Sequence, residues 1–321
     1  MYKILQALFG TRRGVMSTVR SIARHFRKNW QLWVMVSPAL LYIIIFNYGP
    51  MYGLQLAFRD YDFSKGITGG DWAGLKYFDQ YFTSPMFIPT IRNTFLIAFT
   101  SIIFGFPIPI ILAIAINSLK NLWWKKAVQT TIYMPYFIST VVLVSMLQIL
   151  LSTNTGIVSN GLKFIGLIAP EANLLGDPGA FIPVYVISGI WQSAGWNSII
   201  YIAALSSVDG QLYDAARVDG ANRWQQVWHV ELPAIKSTII ILFIMNMGGV
   251  LSVGFEKTFL MQNSLNKAVS EVISTYVYNI GLRSSQFSFG AAVGLFNTLV
   301  NFVFLMITNA ISKKVADISL M

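Results

Sequence analysis

Six long apolar stretches recur along the chain, at about 30–58, 88–117, 128–151, 181–205, 234–256 and 288–312. Each matches or exceeds the roughly 20 residues needed to cross bilayer hydrocarbon as a helix. None alternates with period two, which argues against a β-barrel. Only 11% of the residues are charged and 55% are hydrophobic, against about 25% charged in a soluble domain. So few charges cannot solvate a core of that size. The expected fold is an all-α polytopic membrane protein with six transmembrane helices. Pro38, Pro50, Pro107, Pro109 and Pro135 fall inside or at the ends of spans. They are expected as kinks, whose freed carbonyls neighbours or water can satisfy.

The charges orient the spans. Residues 1–29 carry Lys3, Arg12, Arg13, Arg20, Arg24, Arg27 and Lys28 and no acid. With the loops 118–127 and 206–237 and the tail 313–321, this side holds fifteen basic residues against eight on the other. Basic residues collect on the cytoplasmic side, so both termini are expected there, in agreement with an even number of spans. The net charge of +10 then reflects topology, and no nucleic-acid partner is expected. The N-terminal segment lacks the short apolar core of a cleaved signal and runs into a full span flanked by Trp30 and Trp33. Val15, Val19, Ile22 and Phe26 recur at helical spacing beside its arginines. They suit either an interfacial helix on anionic lipid or a basic tail that serves topology alone.

Much chemistry is missing. There is no Cys and only two His, His25 and His229, so thiolate chemistry and a multi-His metal site are not expected. The nearest approach to a phosphate-binding Walker loop, Gly69 to Lys76, has Leu75 where lysine is required. No charge is expected deep within a span; Arg92 and Glu256 sit near ends. That weakens proton relays and ion-coupling sites, and with them an ion-driven secondary sugar transporter or facilitator. A membrane-anchored assembly or sensor protein is the other rival.

The loop 206–233 breaks the basic pattern, with Asp209, Asp214, Asp219 and Glu231 against Arg217 and Arg223. Asp209 can cap a helix over 210–219, and Gly220 can end it in a left-handed conformation. Asn222 and Gln225 have capping-box spacing for a second helix running to about Glu231. Pro233 then fits the first turn of the fifth span. Leu212, Tyr213, Ala215, Ala216, Trp224, Val227 and Trp228 give this elbow more apolar surface than a solvated loop needs, which marks an interface.

The run Asp214-Ala215-Ala216, three residues, Gly220, nine residues, then Val230-Glu231-Leu232-Pro233 resembles the EAA loop of binding-protein-dependent ABC importer permeases. Asp214 replaces the usual Glu and Val230 the usual Ile. Tyr48-Gly49-Pro50-Met51-Tyr52-Gly53, Phe104-Gly105-Phe106-Pro107 and the stretch from Gly195 to Tyr201 look like the branch that carries complex oligosaccharides. Gly254-Phe255-Glu256 and Gly294-Leu295-Phe296-Asn297 match less specifically. The resemblance implies a type I ABC importer permease architecture in a bacterial cell membrane. A permease domain would span 30–312, with a cytoplasmic coupling loop at 206–233 and a tail at 313–321. It implies a transport subunit rather than an enzyme, with no cofactor of its own. ATP and Mg would belong to two cytoplasmic ATPase subunits. A second permease, a different homologue in most of the branch, would complete the path, and an extracytoplasmic binding protein would deliver the sugar. A plant-cell-wall oligosaccharide is the guess for that sugar. Asp214, Ala215, Ala216, Asp219, Gly220, Leu232 and Pro233 would couple to the ATPase.

Sugars are held by aromatic faces and a few polar groups in a concave site. Halfway along the fourth expected span lie Trp191, Gln192, Ser193, Trp196 and Asn197, and halfway along the fifth lie Asn246, Gly248, Gly249 and Ser252. They are candidates for the substrate path. Helix packing is the competing reading, because small residues and amides also serve tight helix crossings. The outer loop 59–87, with Trp72, Tyr77, Phe78, Tyr81 and Phe82, is read as an interfacial aromatic belt or a binding-protein contact.

The orientation is directly testable in a chain without native cysteine. A Ser319→Cys variant should resist an impermeant thiol reagent in intact cells and react after permeabilisation. Labelling in intact cells would invert the topology.

Overall fold

A computed structural model describes residues 28–251 and 253–316. The interfacial helix expected before residue 28, Ser252 and the end of the tail lie outside the described residues. Apart from two isolated β-bridges, Arg59 with Trp72 and Asp62 with Gly66, the described regular structure is helical. The chain divides into two compact units between Gln55 and Leu56.

The helices run in this order. The first, α1, is Trp30–Phe58, followed by α2 (Lys76–Phe82), α3 (Phe87–Asn117) and a bent pair, α4 (Leu122–Phe137) and α5 (Thr140–Leu150). Next come α6 (Ile157–Phe164), α7 (Pro178–Ser206) and α8 (Gly210–Val218). A second bent pair follows, α9 (Arg223–Ala234) and α10 (Lys236–Met247). Three short helices, α11 (Phe255–Met261), α12 (Lys267–Ser270) and α13 (Ile273–Val277), lead to α14 (Phe287–Ala316). By length and apolar composition, three helices suffice to cross a membrane, and five do if each bent pair is one span.

Caps and prolines account for the boundaries. Asn121 opens α4 by accepting from Trp123 N–H at 2.9 Å, and Asp177 opens α7 by accepting from Gly179 N–H at 2.8 Å. Pro178 stands at the first position of α7, where an N–H would be unpaired anyway. Before Pro50 and Pro233 the helical turn widens. Gly49 N–H reaches Ile44 C=O before Pro50, and Leu232 N–H reaches Val227 C=O before Pro233. Proline removes one donor and its ring crowds the carbonyl four residues earlier, and a π turn relieves both.

Two expected spans are corrected. The third, expected over 128–151 with a kink at Pro135, begins at Leu122 and bends by 96° between Phe137 and Thr140. Pro135 and the Ser139 cap cause the break; Ser139 Oγ accepts from Val142 N–H at 3.3 Å. The fifth, expected over 234–256, ends as a helix at Met247 and bends by 63° near Ile235. Pro233 therefore closes the elbow helix instead of opening the span. Asn246 sits at a helix end rather than halfway.

The largest core cluster joins α3, α5, α7, α11 and the turn after α10, through Ile97, Val144, Phe181, Val186, Leu251 and Met261. At one end of the bundle, side-chain amides and hydroxyls tie the loops together. Asn93 donates to Ala268 and Glu271 carbonyls at 2.9 and 3.0 Å, and Thr94 Oγ1 accepts from Ile273 N–H at 3.0 Å. Tyr81, expected in an aromatic belt, is fully buried, with its hydroxyl 3.1 Å from Thr90 Oγ1. It packs among Phe87, Tyr276, Phe289 and Phe296.

Helices α4 and α7 meet at Gly195, where a Cβ would overlap the Ile132 carbonyl. Gly195→Ala must push backbone apart, at about 1–3 kcal/mol for overpacking. It should lower the melting temperature of the purified protein. Gly249→Ala, which meets open space, should leave it unchanged. Equal melting temperatures for both variants would contradict this crossing.

Candidate functional site

The elbow forms as its residues dictate. Asp209 Oδ1 accepts from Gln211 N–H at 2.9 Å at the start of α8. At its end Gly220 takes φ +75°. Gly220 N–H bonds Arg217 C=O at 3.0 Å and Ala221 N–H bonds Ala216 C=O at 2.8 Å, the paired closure of a glycine C-cap. Asn222 and Gln225 then form a complete capping box for α9.

What holds the elbow is a buried carboxylate. Glu231 is fully buried. Arg223 grips it with two bonds, Nη1 to Oε1 at 2.9 Å and Nη2 to Oε2 at 3.0 Å. Asn117 Nδ2 and the Tyr213 hydroxyl donate to Oε1 at 3.1 and 3.2 Å. Arg223 also donates to Ser118 Oγ at 2.6 Å from Nη2 and 3.1 Å from Nε. Burial and the adjacent Glu231 charge hold the Tyr213 hydroxyl above its ordinary pKa, so it remains a donor. One carboxylate thus ties α8, α9 and the end of α3 together. Arg223 entered the sequence reading only as a charge of the loop, and Glu231 as a charge, a helix end and a position of the loop motif; their pairing was not foreseen. Their eight-residue separation is not a helical neighbour spacing, and Asn117 and Ser118 come from a distant segment.

The outer face of the elbow is apolar and exposed. Val218 is 88% exposed, Trp224 75%, Trp228 65% and Leu212 52%. Among the expected coupling residues, Asp214, Ala215, Asp219, Gly220 and Pro233 are exposed, and Ala216 and Leu232 are half-buried. Asp214 pairs with Arg217 at 3.1 Å, an exposed i,i+3 contact.

The expected path residues divide between two faces of α7. Ser193 and Asn197 border a cavity of about 350 Å³ with Asn246 of α10 and Ser101 and Gly105 of α3. Trp191, Gln192 and Trp196 face the other way. Trp191 borders an apolar groove with Leu143 and Leu147 of α5. Gln192 Nε2 donates to Ile138 C=O at 2.8 Å, which satisfies backbone at the α4–α5 break. Trp196 stacks on Tyr136 with ring centres 4.5 Å apart and planes 3° from parallel, and Phe137 meets its edge at 5.7 Å. Tyr136 and Phe137 were not singled out in the sequence, because the α4–α5 bend that brings them to Trp196 has no periodic signal. Trp196 is still 39% exposed. Ser252 lies outside the described residues.

Lys257, assigned to an outer loop, is buried on α11 against α7, with Nζ donating to Tyr185 C=O at 2.7 Å. Among the described residues no group of three or more His, Cys, Asp or Glu could hold a metal ion.

Comparison with known proteins matches residues 105–317 to the family described as binding-protein-dependent transport system inner membrane component. The chain is 41% identical over 286 residues to the polygalacturonan/rhamnogalacturonan transport system permease protein YteP of Bacillus subtilis strain 168, covering 89% of this chain and 88% of that protein. It is similar, at 38% identity and a TM-score of 0.84, to a chain of the crystal structure of a bacterial ABC transporter that imports the acidic polysaccharide alginate, covering 92% of this chain and 99% of that one. A second structure, of the alginate transporter with an alginate pentasaccharide-bound periplasmic protein, matches at 37% identity and the same TM-score. An inner-membrane multi-pass protein with this sequence is a transport subunit and not an enzyme: the chain belongs to the binding-protein-dependent inner membrane components, the permeases of ABC importers.

Proposed function

We propose that this permease forms half of a six-span-per-subunit pathway for an oligosaccharide and couples it to ATP hydrolysis through the elbow. The observation that carries the coupling role is the combination of a rigid, bonded elbow with an unpartnered apolar face. A conformational equilibrium is passed between distant sites by an element with discrete arrangements. The Glu231 lock supplies such rigidity, and Leu212, Val218, Trp224 and Trp228 supply the surface for a cytoplasmic ATPase subunit. Asp214, Ala215, Ala216, Asp219, Gly220, Leu232 and Pro233 lie on or shape that elbow. ATP and Mg are bound by two such subunits and not by this chain.

α7, the fourth span in chain order, brings the number of spans to six. Its 29 residues reach about 43 Å at 1.5 Å per residue, enough to cross. Its polar residues lower its apolar content because they serve the path. Ser193, Asn197 and Asn246 offer hydrogen bonds around one cavity, and Trp196 with Tyr136 offers a stacking ledge on the other face. Trp191, Gln192 and Ser252 complete the candidate set. A second, different permease would close the path. An extracytoplasmic binding protein would deliver the sugar, as the alginate transporter's periplasmic protein suggests. The oligosaccharide class is supported by relatives whose named cargoes are polygalacturonan, rhamnogalacturonan and alginate. Both termini then lie in the cytoplasm, as the charge asymmetry supports.

The test separates coupling from path. Gly220→Val places a β-branched residue at positive φ, at about 1–2 kcal/mol, so uptake driven by the ATPases should fall about five- to thirtyfold. Asp214→Glu should be nearly silent. Trp196→Ala should lower sugar uptake while ATPase subunits still co-purify. Normal uptake in Gly220→Val at normal expression would remove the elbow from coupling. Loss of assembly in Trp196→Ala would make that residue a packing group.

A further inference from the structure

We infer that Tyr201 is the inner rung of a polar ladder on α7, and that its hydroxyl hydrogen-bonds a hydroxyl of the sugar held in the cavity between α3, α7 and α10. The inference rests on the transport reading above and adds to it a residue that contacts cargo. Tyr201 is 3% exposed. A buried tyrosine hydroxyl ordinarily has a partner, and the other buried tyrosines among the described residues have one. Tyr81 meets Thr90 Oγ1 at 3.1 Å, Tyr276 meets Ser84 Oγ at 3.5 Å, and Tyr185 bonds Thr258. The Tyr201 hydroxyl has no hydrogen bond to any described residue. Nor is it sealed away: the described side-chain atoms that are both sealed and unpartnered are Arg59 Nε and Asn297 Oδ1. The surface that the hydroxyl keeps opens where Tyr201 borders the cavity of about 350 Å³.

The helix puts this residue in line with polar groups already on the cavity wall. Tyr185, Gly189, Ser193, Asn197 and Tyr201 recur every fourth residue along α7 and all border the same cavity. Residues at i and i+4 lie one above the other on a helix face, so Ser193, Asn197 and Tyr201 are rungs about 6 Å apart. Tyr201 stands five residues before Ser206, where α7 ends toward the elbow. Its ring is held there by an apolar cluster that includes Ala113 and Ile116 of α3, Leu205 of α7 and Ile235. Those side chains have no polar atom and cannot satisfy a hydroxyl. A hydroxyl left unpaired in such surroundings is costly, and a hydroxyl-rich molecule filling the cavity removes that cost. No charged residue borders the cavity, so recognition there is by neutral hydrogen bonds. The competing role is a hydroxyl met by water alone.

The experiment compares Tyr201→Phe with the wild-type permease–ATPase complex. Phe keeps the ring and removes only the hydroxyl. Oligosaccharides from polygalacturonan, rhamnogalacturonan and alginate, the cargoes named for the relatives, are first screened for uptake by cells that produce the whole transporter. Equilibrium binding of the one taken up best is then measured on the purified complexes without binding protein. Loss of one neutral hydrogen bond should weaken binding about three- to tenfold in Tyr201→Phe. The melting temperature of the sugar-free complex should stay the same or rise, because no protein partner is lost. Equal affinity in the two complexes overturns the inference and leaves the hydroxyl to water. Weaker binding together with a lower melting temperature, or failure of the variant to assemble, overturns it in favour of a packing role. In either case uptake by the wild type leaves the transport reading standing. If none of the three kinds of oligosaccharide is taken up, the transport reading falls and takes the inference with it.

Discussion

A single carboxylate, Glu231, decides how the elbow is held. It is fully buried, and a charge so placed must be met by donors or it destabilises the fold. Four side chains meet it or brace those that do: Arg223 bidentately, Asn117, Tyr213 and, through Arg223, Ser118. Charge-assisted and bidentate bonds are the strong ones and fix geometry as well as energy. Because the donors come from α3, α8 and α9, the elbow cannot turn without carrying the end of α3 with it. Leu212, Val218, Trp224 and Trp228 take no part in these bonds and face outward.

The membrane-depth portion follows the opposite logic. There the helices are interrupted, and the interruptions are stabilised by side chains that lend bonds to freed backbone. Gln192 caps Ile138 at the α4–α5 break, and Asn301 Oδ1 accepts from Leu251 N–H at 2.8 Å after α10. Unpaired backbone groups are costly in hydrocarbon, so such breaks survive only with partners of this kind. The bend after Phe137 brings Tyr136 and Phe137 to Trp196. The early end of α10 lets the chain re-enter as α11 and carry Lys257 to α7.

Local rules made the elbow legible. Asp209, Gly220 and the Asn222–Gln225 pair act within three residues of their partners, and each forms the cap expected of it. The apolar runs likewise marked α1, α3, α7 and α14 to within a few residues. What escaped was non-local. Hydropathy cannot register a 96° bend inside an apolar run. It assigned Lys257 to an outer loop because charge alone ends an apolar window. The Arg223–Glu231 pair joins residues whose spacing has no helical meaning until a π turn and a distant helix end are in place. The path candidates were collected by sequence proximity, and α7 sorts them by face: Ser193 and Asn197 turn to one side, Trp191, Gln192 and Trp196 to the other.

The claim that the elbow moves as one body with α3 is tested by the number of sugar molecules imported per ATP hydrolysed in proteoliposomes. The comparison is between the wild-type complex and one carrying Arg223→Ala. Removing the arginine leaves a buried carboxylate without its main partner, a loss of about 3–5 kcal/mol for a fully buried pair and less here because Arg223 is 39% exposed. A retained loss of about 1.4 kcal/mol would correspond to a tenfold change. The expected result is hydrolysis that continues, ATPase subunits that still co-purify, and import per ATP reduced about tenfold. An unchanged ratio of import to hydrolysis in Arg223→Ala would contradict the account.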